Sequence, residues 1–203
     1  MPGTFILSLD CEGKWGVADH LTAAHHATLS DARLRDAYRA IVRLLDEFGV
    51  PATFAFTELF LCSKDELMAL PHHEIGARLP YAAPAFDDLA RGSGEGWAAP
   101  WLDDLIDDRH ERACHGVTHM PWSDMDKEQA RYELSLRPRP AGGTFIYPRN
   151  RIAHLDLLEE QGFTGYRLAP PLRSRAASLA AELNLLAKAE ASPPAAKLQP
   201  IPG

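Results

Sequence analysis

The sequence predicts an α/β fold with a mainly parallel sheet or barrel. Short β-prone apolar runs alternate with segments of helical apolar spacing along most of the chain. No repeat of fixed period interrupts that alternation. At 203 residues the chain can bury one sizeable core. It reads as a single domain over residues 1–190, followed by an extended, proline-rich tail at 191–203.

The first strand is expected at 4–9, where apolar residues run into Asp10. Ser30 then opens a helix in which Leu34, Ala37, Tyr38, Ile41, Leu44, Leu45 and Phe48 recur at helical spacing. Gly49 and Pro51 stop it. "ATFAF" at 52–56 is a second, fully apolar strand. Ser63 with Glu66 forms a capping-box pattern that starts a short helix. The stretch 71–96 is less regular, and "RGSGEG" within it is a loop by composition. A helix follows at 100–108, with proline suited to its first turn. Strands are expected in "ERACHG", "GGTFIYP" and "GYRLA". Helices are expected in "DKEQARYELSL" and "HLDLLEEQGF", with a final one within 174–191.

Composition narrows the function classes. A net charge of −7 with scattered basic residues argues against a nucleic-acid surface. No apolar stretch is long enough for a membrane span, and no basic–apolar leader opens the chain. Cys11, Cys62 and Cys114 are odd in number and widely spaced. A disulfide framework is therefore not expected, and a reducing, cytoplasmic home is. Cys11 and Cys114 read as small buried residues. A thiol nucleophile is the alternative, but no histidine follows either in a nucleophile pattern.

Three stretches carry residues suited to chemistry. Asp10 and Glu12 are two apart at a strand's C-terminal end, so both can face one side. Parallel α/β folds build their sites at that end. Two close carboxylates repel unless a cation or proton separates them; a solvated turn is the plain alternative. His115 and His119 form an H-x-x-x-H pair, on a helix or in a tight loop entering one. With one strand-end acid they make a three-ligand set for zinc or another first-row divalent metal. Two unrelated core or surface histidines are the alternative. Arg149 follows "FIYP" and could orient Asp10, keep it ionised or bind an anionic substrate; a surface salt bridge is the alternative. His25–His26 and His72–His73 read as loop residues. His20 and His110 show no partner pattern, and His154 is expected exposed on a helix.

Taken in order, "SLDCEG", "CHGVTH" and "FIYPRN" resemble the three leading motifs of the polysaccharide deacetylases with a NodB homology domain, related to carbohydrate esterase family 4. The likeness runs from Thr4 to about Arg167 and is nearest a branch found with bacterial O-antigen and surface-polysaccharide genes. It implies a distorted parallel β/α barrel, seven-stranded in the family, incomplete here because only five or six strands are expected. It implies that Asp10 is the general base, that Glu12, His115 and His119 hold the metal, and that Arg149 holds the base. Arg149 follows Pro148 here instead of preceding a proline, and Glu12 stands where most relatives have Asp. Trp122, at the end of the wider stretch "CHGVTHMPW", and Tyr147 and Asn150, in "FIYPRN", are expected at the substrate. The family's later motifs, the last of which carries a histidine acid, find no match after Arg167, so the sequence reads like a member that stops early.

The activity so implied is metal-dependent hydrolysis of an N-acyl, chiefly N-acetyl, group on an amino sugar, free, nucleotide-linked or in a polysaccharide. A metal- and carbohydrate-binding chain without turnover is the alternative, favoured by the missing histidine motif. A non-haem iron oxygenase fits the ligand types but not their order along the chain. Exposed strand edges in an incomplete barrel would favour self-association.

Overall fold

Among the described residues, every strand lies beside the next one in chain order. A computed structural model describes residues 6–137, 143–168 and 198–200. Five strands run parallel: β1 (Ser8–Cys11), β2 (Thr53–Phe56), β3 (Glu111–Cys114), β4 (Thr144–Phe145) and β5 (Gly165–Arg167). They curl into a half-barrel. A sixth strand, β6 (Leu198–Pro200), pairs antiparallel with β5. The helix expected within 174–191 lies outside the described residues, as does most of the tail.

The longest helix among the described residues follows from its local sequence. In α2 (Asp31–Phe48) the Ser30 hydroxyl accepts from the Arg33 N–H, and Gly49 closes the C-terminus at φ 61°. Tyr38, Val42 and Leu45 turn inward, while Leu44 and Phe48 stay 55% and 69% exposed, so the buried stripe is narrower than the spacing suggests. In α3 (Lys64–Met68) the expected capping box is present, with Ser63 and Glu66 exchanging bonds at 2.7 and 3.2 Å.

Several expectations need correction. His25–His26 belong to a helix, α1 (Ala23–Thr28). The His25 ring accepts from the Thr22 N–H and so fills the place of the usual capping-box acid. His72–His73 open α4 (His72–Arg78), which is followed by a 3-10 turn at Pro80–Ala82 and by α5 (Ala83–Ala90). The helix expected at 100–108 shrinks to α6 (Leu102–Leu105). The Arg112 guanidinium takes the carbonyls of Asp103 and Ile106 at 2.8 and 2.7 Å, and Ile106 is already extended. The expected helices near 126 and 154 form as α7 (Lys127–Ser135) and α8 (Leu155–Glu160). His154 stands before α8 in a left-handed conformation, its Nε2 2.9 Å from the Met125 carbonyl, not exposed on the helix.

The strand register sorts residues into two faces. Cys11, Phe56, Cys114 and Phe145 align across the sheet and pack beneath the helices in the main core. Phe54, Phe60, Trp15 and Trp97 are also fully buried there, each worth about 1.5–3 kcal/mol of transfer from water. On the other, concave face Asp10 aligns with Ala55 and Ala55 with Ala113. Ala55, Ala113 and Ile146 form a small separate apolar cluster. The small side chains of Ala55 and Ala113 on this face leave room for the polar groups at its C-terminal rim. Among the described residues no helix is long and apolar enough to cross a membrane.

Candidate metal centre

The rim is built by two loops that follow β1 and β3. After β1 the chain passes Glu12 and turns at Gly13 (φ 50°). A Cβ there would meet the Gly96 carbonyl at 2.6 Å. Gly16 lies against the Glu12 side chain, and a Cβ at Gly16 would overlap its carboxylate. After β3 the His115 N–H bonds the Phe56 carbonyl at 2.6 Å. The turn then runs through Gly116 (φ 73°) to His119. The two histidines therefore sit on a tight loop and not on a helix. His119 takes φ 63°, a left-handed conformation that costs a non-glycine residue about 1–2 kcal/mol.

These loops bring Glu12, His115 and His119 together, with one potential ligand atom from each within 4.8 Å of the others. The Glu12 Oε2 lies 2.6 Å from His119 Nε2 and 3.3 Å from His115 Nε2. Both histidine side chains are buried, at 1% and 4% exposure, and the carboxylate is 31% exposed.

Hydrogen bonding shows why this set suits a cation. The His115 Nδ1 lies 2.7 Å from the Ile146 carbonyl. A carbonyl only accepts, so Nδ1 carries a proton, and in the neutral ring the Nε2 lone pair faces the Glu12 oxygen. Two acceptors at 3.3 Å repel unless a proton or a metal ion lies between them. His115 Nε2 and His119 Nδ1 are buried without a hydrogen-bond partner among the described residues. Burial alone would raise the Glu12 carboxyl. Once protonated, His115 and His119 outweigh it by hydrogen bonding and charge and hold Glu12 well below the usual carboxylate range. A carboxylate with two imidazoles supplies the three protein ligands of an open metal site.

Asp10 stands beside this set, its Oδ2 3.7 Å from His115 Nε2. The arginine that holds it is not Arg149. Arg167, at the end of β5, donates to the two Asp10 oxygens at 2.9 and 3.1 Å and to the Ser8 hydroxyl at 3.0 Å. The register explains the choice. Thr144 aligns with Gly165, so Arg167 points into the concave face, toward β1. Arg149 lies beyond the end of β4, and its guanidinium pairs instead with Asp19 at 2.5 and 2.9 Å, over the Tyr81 ring. That contact lowers the Asp19 carboxyl to about 2 against the opposing effect of burial, with His20 adding to the shift.

The remaining expected site residues divide. Asn150 accepts from Arg167 at 3.1 Å and so braces the arginine on Asp10. Trp122 and Tyr147 are fully buried and offer no surface to a substrate. Their polar ends are used internally: the Trp122 indole donates to Glu133 at 2.8 Å, and the Tyr147 hydroxyl to the Ala153 carbonyl at 3.0 Å. Burial pushes the Cys11 thiol up to about 12 and the Cys114 thiol well above its ordinary value, which fits the small-core-residue reading of both. Arg167 and Asp19 were not anticipated as site residues. No local sequence pattern marks Arg167; the register of β5 turns it inward.

Comparison of the chain with protein-family models, with curated proteins and with solved structures gave no match.

Proposed function

We propose that the chain is a metal-dependent hydrolase that removes an N-acyl group, N-acetyl first among them, from an amino sugar. One observation carries the reading. Two acids one residue apart have different partners: Glu12 faces two imidazoles, while Asp10 is gripped by an arginine beside them. A ligand carboxylate next to a separately held carboxylate is the equipment for activating water. The sugar amide as substrate rests on the likeness of "SLDCEG", "CHGVTH" and "FIYPRN" to polysaccharide deacetylases.

Glu12, His115 and His119 would hold the ion, and the donor set suits zinc. When bound, the ion supplies Lewis acidity and a water that ionises near neutral pH. Asp10 takes a proton from the attacking water, and Arg167 fixes its oxygens for that transfer. Water oxygen adds to the amide carbon, the C–N bond breaks, and Asp10 returns the proton to the departing amine. Acetate and a free amino sugar result. The buried thiols fit a reducing, cytoplasmic compartment for this chemistry.

The test is elemental analysis of the purified protein. An assay of acetate release from free and nucleotide-linked N-acetyl amino sugars follows, for wild type, Asp10→Asn and His119→Ala. One equivalent of zinc and acetate release in wild type, with both variants inactive and His119→Ala metal-poor, is the expected result. Metal without acetate release would reduce the reading to a metal- and carbohydrate-binding chain. A folded protein that takes up no metal would remove both.

A further inference from the structure

Behind the histidine loop lies a carboxylate that the proposed chemistry does not use. Glu133, in the last turn of α7, is fully buried. Its Oε1 accepts from the Val117 N–H at 3.2 Å, the Thr118 N–H at 2.9 Å and the Thr118 hydroxyl at 2.8 Å. Its Oε2 accepts from the Trp122 indole at 2.8 Å. The four donors lie within three residues of His119, on both sides of it. A carboxylate is a costly way to anchor a helix, because an apolar side chain would pack there with no charge to desolvate. What it adds is acceptor capacity, and that capacity is spent on the segment that presents His119.

His119 needs such support. It is left-handed, and non-glycine residues keep that conformation only when their surroundings hold them there. Gly116, at the start of the turn, is left-handed too. Neighbouring bonds fix the turn at its first half, where Glu58 and Leu59 donate to the Gly116 and Val117 carbonyls at 3.0 and 3.2 Å. The second half, from Thr118 to Trp122, is tied to Glu133.

We infer that Glu133 is the positioning residue of the metal centre: its two oxygens clamp Thr118 and Trp122 and thereby hold His119 Nε2 against Glu12. This inference rests on the metal-site reading above. Glu133→Gln keeps the size and shape of the side chain. It turns one acceptor into a donor facing another donor, so one side of the clamp opens.

The experiment is direct titration of zinc into the metal-free protein, with cobalt as a spectroscopic replacement. Four chains are compared: wild type, Glu133→Gln, Thr118→Val and Leu134→Val. Glu133→Gln is expected to weaken zinc binding about 10- to 100-fold and to alter the visible absorption of the cobalt form. Thr118→Val, which removes one donor, should shift both readouts in the same direction by less, and it carries the test if Glu133→Gln does not fold. Leu134→Val perturbs the same helix core without touching the clamp and should bind as wild type does. Wild-type affinity and an unchanged cobalt spectrum in Glu133→Gln and Thr118→Val would overturn the positioning role and leave the metal site standing. Equal weakening in Leu134→Val would overturn it as well, by showing a general effect of α7. Absence of metal binding in wild type would overturn the metal reading and this role with it.

Discussion

Arg167 and Asp10 join the last parallel strand to the first: two guanidinium N–H groups meet the two carboxylate oxygens at 2.9 and 3.1 Å, across 157 positions of sequence. Arg149 was the expected partner and is occupied elsewhere, on Asp19. A bidentate arginine fixes the plane of a carboxylate as well as its charge. Arg167→Met should therefore lower kcat for acetate release by about a hundredfold while bound metal is retained. Arg149→Met should leave most activity in place. If the losses fall the other way round, Asp10 is oriented by Arg149 during turnover and the present pairing is not the one that matters.

The length of the Glu12 side chain is a second point of attack. Its Oε2 reaches both imidazoles, at 2.6 and 3.3 Å. Glu12→Asp withdraws the oxygen by one methylene and should weaken zinc binding by at least tenfold, read by titration. Gly16→Ala acts on the same group from behind, since the new methyl would occupy the space of the Glu12 carboxylate. It should also lower zinc affinity, although residue 16 is no ligand. Unchanged affinity in Gly16→Ala would mean that Glu12 does not hold the ion in the position described.

How much of this is legible in the sequence depends on how local each cause is. The Ser30–Gly49 helix and the Ser63–Glu66 box were readable because cap, stripe and stop are contiguous. Glu12, His115 and His119 were readable for the same reason, each lying in a short motif. The role of His25 is not legible in the sequence because histidine is an uncommon partner in a capping box, and only geometry shows it serving there. Trp122 and Tyr147 were expected at the substrate because they neighbour the motifs. Sequence does not say whether an aromatic beside a site turns out toward a ligand or in toward the core, and both turn in. Arg167 was missed because its role depends on strand register and curl, which no local pattern encodes.

Acid stability should report the Asp19–Arg149 pair. The Asp19 carboxyl is lowered to about 2, first through its hydrogen bonds with Arg149. A group depressed in the folded state contributes fully above its unfolded value, about 4, and loses that contribution as pH falls toward the folded value. The difference in Tm between wild type and Asp19→Asn should thus be constant above pH 5 and shrink between pH 4 and 2, measured on metal-free protein. A difference that does not change with pH would show the pair to be without effect on folding.

Thiol chemistry supplies a fourth check. All three cysteines are buried, and burial raises Cys11 to about 12 and Cys114 well above its ordinary value. Alkylation at pH 8 should leave the native protein unmodified and label all three once it is unfolded. Mass spectrometry that finds Cys11 labelled in the native protein would reopen its role beside Asp10.

The strictly sequential strand order has a consequence for synthesis. Because β1 to β5 lie side by side in the order in which they are made, the residues of the centre leave the ribosome in instalments. The three residues proposed to hold the ion are all present once His119 has emerged, and Glu133 follows fourteen positions later in the numbering. The grip on Asp10 waits for Arg167. During that interval a nascent chain would hold the residues for capturing an ion but lack the arginine that grips Asp10, so on the proposed reading metal capture would precede competence for turnover.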